Sequence, residues 1–329
     1  MPAEWAPHRA VWVAPPHNAE TWPGCLEAAQ RQFEAFLTKL NRVTPAWDVH
    51  AVAKRTDDSW MRDFGPIFVK QHAKPPHDDA HATAAPLALH DFHFDGWGGK
   101  YEVRADDDLV PQLIARQYGW PIWIHDWVLE GGAIDVNGQG TVLTTRQCLL
   151  EANRNPHMDQ AALEAAIHQA LGTQHMVYLP GGIAGDDTDG HIDDVARFLN
   201  PTTVALVVPA EGHPDHAIGQ RNRQALREAR DQRGQPFEVI ELPAPEPVSF
   251  DFPADRFQPG GRAPLPCSYA NFLITNGVVF VPTFGQASDE PALRTLDAAM
   301  PEHTIVPIRC EWLAVGLGTL HCLTMQQPA

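Results

Sequence analysis

Gly185-Asp186-Asp187-Thr188-Asp189-Gly190-His191-Ile192-Asp193-Asp194 sets five carboxylates and a histidine immediately before an apolar run that reaches Pro209 and turns at Asn200-Pro201. Side chains alternate along an extended strand, so His191 and Asp193, two apart, project from one face and meet one reacting group. A histidine titrating near neutrality shuttles a proton, and a carboxylate pairs with a planar cation through both oxygens. Two other readings stay open here: an acidic turn before a strand, or a metal-dependent hydrolase centre. The spacing is not that of a calcium loop, and no H-E-x-x-H accompanies it.

Outward from this stretch the same opening recurs, a polar residue beside glycine or another polar group ahead of a short β-branched run. It recurs as Asp63-Phe64-Gly65, Glu130-Gly131-Gly132, Tyr269-Ala270-Asn271 and Thr319-Leu320-His321-Cys322. Hairpins are expected over 131–145, turning at Asn137-Gly138, and over 271–282, turning at Asn276-Gly277. Another begins at Asp63. Helical spacing marks 19–41, 106–118, 159–171, 215–232 and 288–300, the third behind an Asp159 N-cap. Five helices and five polar openings fit five degenerate repeats around an axis, and they fit an ordinary α/β sheet with polar strand ends equally well. The stretches 71–89, with His72, His77 and His81, and the proline-rich 243–266 read as long surface loops rather than metal sites.

Composition excludes several classes. The 329 residues, 44% hydrophobic, suffice for a large core. With 24 Lys and Arg against 41 Asp and Glu, the formal charge of −17 repels a phosphate backbone, so nucleic acid is not expected as a partner. No run approaches the roughly 18 apolar residues of a membrane span, and Met1 to Trp5 has neither a basic nor an apolar leader segment, which points to the cytoplasm. The cysteines (Cys25, Cys148, Cys267, Cys310, Cys322) are scattered and never form C-x-x-C, suggesting neither disulfides nor structural zinc. Cys322 follows the glycine-spaced turn Gly316-Leu317-Gly318-Thr319. On a strand its neighbour His321 would point to the opposite face, leaving His191 or a bound cation to activate the thiol.

Seven motifs, in order from residue 1 to the Gln326-Gln327-Pro328 tail, resemble the agmatine deiminases and their relatives, the bacterial-type (Porphyromonas-type) peptidyl-arginine deiminases. They are the Met1–Trp5 start with Pro16-His17-Asn18 and Thr21-Trp22-Pro23, Trp60–Pro66, Trp97–Tyr101, Leu129–Gly132, Asn153–His157, Gly185–Asp193 and His321–Thr324. The resemblance implies the α/β pentein fold, a propeller of five ββαβ-like repeats around a pseudo-fivefold axis, as a single catalytic domain over 1–329. It implies Cys322 as nucleophile, His191 as general acid and base, Asp63 and Asp193 as the grip on a guanidinium, and Glu130 beside the histidine. Trp60, Thr188 and Asp189 fall where the family lines its substrate pocket. A small cationic guanidino substrate, agmatine, is implied, with no metal or organic cofactor and with putrescine biosynthesis as the purpose. Peptidyl- or free-arginine deiminases would share every catalytic residue, and a non-catalytic pentein binding module is a further alternative. Phe64 and Thr319 depart from the family pattern beside the active centre, which bears on the substrate's far end. The oligomeric state stays open, a homo-oligomer included.

Overall fold

The structure is a computed structural model that describes residues 1–70, 87–103, 106–253 and 261–329. His8–Val13 (β1) and Ala46–Asp48 (β2) pair in parallel across the helix Leu26–Leu40. Ile67–Lys70 (β3) pairs antiparallel with Leu87–His93 (β4), which pairs in parallel with Ile122–Val128 (β5) after the helix Val110–Tyr118. The plan repeats with Ile134–Val136 (β6), Thr141–Thr145 (β7) and, past the helix Gln160–Leu171, His175–Leu179 (β8). It repeats again with Ala196–Asn200 (β9), Thr203–Val207 (β10) and, past His216–Glu228, Glu238–Leu242 (β11). Ser249–Phe252 (β12) and Gly261–Pro264 (β13) form a separate antiparallel pair. Leu273–Ile274 (β14), Val278–Thr283 (β15) and, past Asp289–Ala299, Thr304–Arg309 (β16) follow the common plan. Thr324–Pro328 (β17) returns to lie antiparallel to β1, giving that sheet the same order as the others.

Each of these three-stranded sheets has a central strand with an antiparallel neighbour on one side and a parallel one, reached through a helix, on the other. The helix is what a parallel connection requires, and its apolar stripe covers the sheet. In Leu26–Leu40 that stripe is Ala29, Phe33, Phe36 and Leu40. Asp159 caps Gln160–Leu171 by accepting the Ala162 N–H at 2.8 Å. Central strands such as Thr141–Thr145 and Thr203–Val207 are buried throughout, the pattern of a strand covered on both faces.

The expected helices form with trimmed ends. Residues 19–25 are turn, because Pro23 and Gly24 interrupt them, and the second helix begins at Val110, with Pro111 in its first turn. The stretch 243–266 is not simply a loop, since β12 and β13 lie within it. Of 71–89, residues 87–89 belong to β4, while His72, His77 and His81 lie outside the described residues.

The polar openings sit on turns before the strands, which corrects the strand placement of His191 and Asp193. Met61–Phe64 is one helical turn, Gly131–Ala133 and Ile192–Asp194 are 3-10 turns, and Tyr269-Ala270 and His321–Leu323 are turns. Each precedes the strand lying antiparallel to its sheet's central strand. The turns touch in sequence. Gly132 donates to Asp63 at 3.0 Å, His191 lies against Gly132, Asn271 donates to Asp194 at 3.1 Å and to Cys322 at 3.0 Å, and the Arg62 N–H donates to the Cys322 carbonyl at 3.1 Å.

Candidate functional site

Cys322 lies on the last of these turns, buried, with its thiol facing Oδ2 of Asp193 at 3.6 Å. Asp193 is wholly buried; the same Oδ2 lies 2.7 Å from Nδ1 of His321, and Oδ1 has no hydrogen-bond partner. On the opposite turn, Asp63 accepts the Gly132 N–H at 3.0 Å and the Trp97 indole N–H at 3.0 Å. Oδ1 of Asp63 is 3.7 Å from Nδ1 of His191, whose Nε2 is buried without a partner.

Two glycines make this density possible. A Cβ on Gly132 would meet Nδ1 of His191 at 2.5 Å and Oδ1 of Asp63 at 2.9 Å. One on Gly318 would meet the Trp60 ring at 2.5 Å, so the glycine-spaced turn before Cys322 admits an aromatic wall. Trp60 in turn packs on Trp22, with centroids 5.5 Å apart.

The acidic stretch resolves into separate tasks. Asp186 ties the loop, accepting the Thr188 N–H at 2.8 Å and the His191 N–H at 3.0 Å. Asp187 accepts the Tyr101 hydroxyl. Asp189 accepts Lys100 at 2.7 Å, Arg154 at 2.8 Å and Asn153 at 3.1 Å. Arg154 also donates Nε to Glu130 at 2.8 Å and Nη2 to the Thr188 carbonyl at 2.6 Å, joining the glutamate to the loop that carries His191. Glu130, Cys148 and His191 have donor atoms within 4.8 Å of one another, as do Asp193, Asp194 and Cys322. That spacing would suit a metal ion, although Glu130 already holds Arg154.

Burial governs the electrostatics. It pushes the His191 imidazole down to about 3 despite Asp193 opposing it, so the ring is neutral at pH 7. It pushes the Cys322 thiol well above its usual range, and Asp193, Asp194 and Asp63 push the same way. Asp63 is raised well above the ordinary carboxylate range by burial and by Asp193. Burial would also raise Asp193, but the hydrogen bond and charge of His321, together with His191 and Arg197, outweigh it and the carboxyl lies below its ordinary value. Glu130 is raised by burial against the pull of Arg154. The resting site therefore holds a thiol, a neutral imidazole and, in Asp193, a buried carboxylate with one oxygen unpaired.

A cavity of about 1070 Å³ opens onto this centre, and Trp60, Asp63, Trp97, Thr188, Asp194 and Cys322 line it. Glu130, His191 and Asp193 lie behind that lining, as does Asp189, which faces its cationic partners. Neither departure from the family pattern lines the cavity. Phe64 is a core residue packed on Phe94, and the Thr319 hydroxyl donates to Asn271 at 2.7 Å.

Sequence reasoning missed His321 as a site residue, because the expected strand would have turned it away. On the observed turn its ring bridges Asp193 and Glu4, at 2.7 Å from each. Glu4 also accepts Arg197 at 2.7 Å, and Arg197 donates to Asp135 at 3.1 Å. Asn271, Arg154, Trp97 and Glu4 were missed as well. Each lies in a quoted opening or motif, and that membership was the available signal.

The family model for Porphyromonas-type peptidyl-arginine deiminase matches residues 1–328. The chain is 34% identical over 362 residues to an agmatine deiminase of Medicago truncatula, covering 100% of this chain and 96% of the relative. The solved agmatine deiminase of Enterococcus faecalis shares the fold at a TM-score of 0.90 and 30% identity, covering 100% of this chain and 95% of the other. A substrate-bound C. Jejuni agmatine deiminase with a cysteine-to-serine substitution gives a TM-score of 0.85 at 26% identity, covering 100% and 96%.

Proposed function

The chain belongs to the Porphyromonas-type peptidyl-arginine deiminase family, and on that premise we propose that it is an agmatine deiminase, a hydrolase converting agmatine and water to N-carbamoylputrescine and ammonia. One observation carries the reading. Asp193 presents a buried oxygen without a partner while its other oxygen faces the Cys322 thiol. A buried acceptor left so is costly, and a guanidinium supplies the missing N–H donors in a planar fork, with a positive charge that suits two facing carboxyl groups.

Bound between Asp63 and Asp193, the cation brings its carbon to Cys322 and favours the thiolate that those carboxylates otherwise disfavour. The thiol proton passes to His191, neutral beforehand, as sulfur attacks the guanidinium carbon. The tetrahedral adduct breaks its C–N bond, and His191 returns the proton to the departing ammonia. A covalent S-alkylthiouronium remains. His191 then takes a proton from water, the resulting hydroxide attacks the same carbon, and the C–S bond breaks to release the ureido product and restore the thiol. Glu130 steadies His191 from behind, tied by Arg154. Trp60 and Thr188 wall the substrate, while Asp189 acts through Lys100 and Arg154.

The outer cavity favours agmatine over arginine. Glu20, Asp57, Asp58, Glu102 and Asp106 line it, while Arg55 pairs with Asp106 at 2.6 Å and Lys100 with Asp189 at 2.7 Å. Such a mouth attracts an amine tail and repels an α-carboxylate. The common sheet plan and the circuit of touching turns support a five-repeat pentein propeller forming one catalytic domain over 1–329. No helix among the described residues is long and apolar enough to cross a membrane. We take the enzyme to act in the cytoplasm, on a product route to putrescine, without nucleic acid or membrane as partner.

Ureido product is to be measured after incubation with agmatine, arginine and a blocked arginyl peptide in parallel. Turnover of agmatine above the other two supports the reading, and preference for either arginine substrate replaces it with the corresponding deiminase. Undiminished ammonia release by Cys322→Ala would remove the nucleophile assignment.

A further inference from the structure

The side-chain amide of Asn271 can be oriented without ambiguity. Its Oδ1 accepts the His321 N–H at 2.9 Å and the Thr319 hydroxyl at 2.7 Å, with the Cys322 N–H at 3.4 Å. Backbone N–H groups only donate, so a flipped amide would set donor against donor. The NH2 group therefore points the other way, one hydrogen toward Oδ1 of Asp194 at 3.1 Å and the other toward Sγ of Cys322 at 3.0 Å. The residue is wholly buried.

The charged groups that bear on that sulfur are acidic. Asp193, Asp194 and Asp63 all disfavour a thiolate. Among the described residues, the hydrogen bond donated to Sγ comes from Asn271. Of the polar turns, only that at 269–271 supplies no group to the mechanism proposed above, and this contact gives it one.

We propose that Asn271 is a further catalytic residue, which orients Sγ of Cys322 and stabilises its thiolate, and that Thr319 positions it. The inference rests on the reading of Cys322 as nucleophile. A hydrogen bond to sulfur strengthens as negative charge develops there, and the donor is already in place, so no reorganisation accompanies the reaction. It assists twice: when the thiol loses its proton to His191, and when the C–S bond of the thiouronium breaks and sulfur leaves with the electron pair. Thr319, one of the two departures from the family pattern, keeps a donor on Oδ1 and so holds the NH2 on the sulfur.

The test compares Asn271→Ala, Thr319→Val and Thr319→Ser in the full chain. In Asn271→Ala, kcat falls about 10- to 100-fold, the range for a lost hydrogen bond to a charged group. KM changes by less than about threefold, as for an interaction made chiefly in the transition state. The rising limb of the kcat–pH profile moves up by about one pH unit. Thr319→Val shifts kcat and the profile in the same direction by less, and Thr319→Ser, which keeps the hydroxyl, recovers most of the loss. Without turnover, the pH midpoint for iodoacetamide alkylation of Cys322, followed by the mass of its peptide, rises in Asn271→Ala. An unmoved kcat–pH profile and alkylation midpoint in Asn271→Ala, or a Thr319→Ser as impaired as Thr319→Val, overturns the inference. If Asn271→Ala does not fold, the Thr319 pair decides. If Cys322→Ala retains activity, the functional reading fails, and the alkylation midpoint still decides whether Asn271 acts on the thiol.

Discussion

Oδ2 of Asp193 lies 3.6 Å from Sγ of Cys322, so the carboxylate proposed to grip the substrate also holds the nucleophile protonated until a cation arrives. Substrate binding and thiol activation are then one event, because the guanidinium neutralises the charge that opposed ionisation.

This coupling predicts opposite effects of one substitution. Asp193→Asn removes a negative charge beside the sulfur, so alkylation of Cys322 at pH 8 in the absence of substrate accelerates. The same change removes the cation's anchor, and kcat/KM for agmatine falls by about 10³-fold or more. Parallel alkylation and steady-state measurements check it. A fall in both rates together would refute the coupling.

The neutral His191 predicts an acid-side loss of stability. Its pKa is about 3 in the folded chain against about 6.5 unfolded, so between those values the unfolded state binds more protons. Stability therefore drops as pH falls through 6.5 toward 3. From pH 6.5 to pH 5 is 1.5 units, a cost of about 2 kcal/mol from this residue. Urea unfolding at pH 7 and pH 5 should show the gap between the two narrowing by about that amount in His191→Gln. His90, pushed by burial to about 4, accounts for part of the acid sensitivity that remains.

Helices and hairpins were legible because burial on one face or on two imposes a period on the sequence. Gln160–Leu171, with its Asp159 cap, lies one residue from its expected start. The five proposed catalytic residues fall on four of the polar openings that the sequence marks, with His191 and Asp193 sharing one. Local backbone form at those openings was not legible. His191, Asp193 and His321 sit on single turns, and a turn of three residues leaves no periodicity to read. Partners distant in sequence were equally hidden. Nothing local to Glu4 or Asn271 indicates that one will meet His321 and the other Cys322.

Glu4 shows what such a partner contributes to stability. Buried, it accepts the Ile274 N–H at 2.8 Å, Arg197 at 2.7 Å and His321 at 2.7 Å, with Arg62 at 3.8 Å. Burial alone would raise its pKa, yet Arg197, His321 and Arg62 hold it well below the ordinary range. Glu4→Gln leaves Arg197 and Arg62 short of a counter-charge in the interior, and about 3–5 kcal/mol of stability is lost. The urea midpoint at pH 7 measures it, and a change below about 1 kcal/mol would show that the network is replaceable.

Arg154 offers the sharpest separation of charge from geometry. Its Nε, Nη1 and Nη2 each serve a different acceptor: Glu130 at 2.8 Å, Asp189 at 2.8 Å and the Thr188 carbonyl at 2.6 Å. Lysine keeps the charge but is a single point donor on a flexible stem, and cannot span three acceptors. Arg154→Lys should therefore fold with little loss yet release the loop 186–190, and with it His191. The expected result is a kcat lowered about 10²-fold, the scale of general acid–base catalysis, with thiol alkylation of Cys322 unchanged because Arg154 does not touch it. A lysine variant with parental kcat would mean that the charge beside Glu130, and not the three-way tie, is what the site requires.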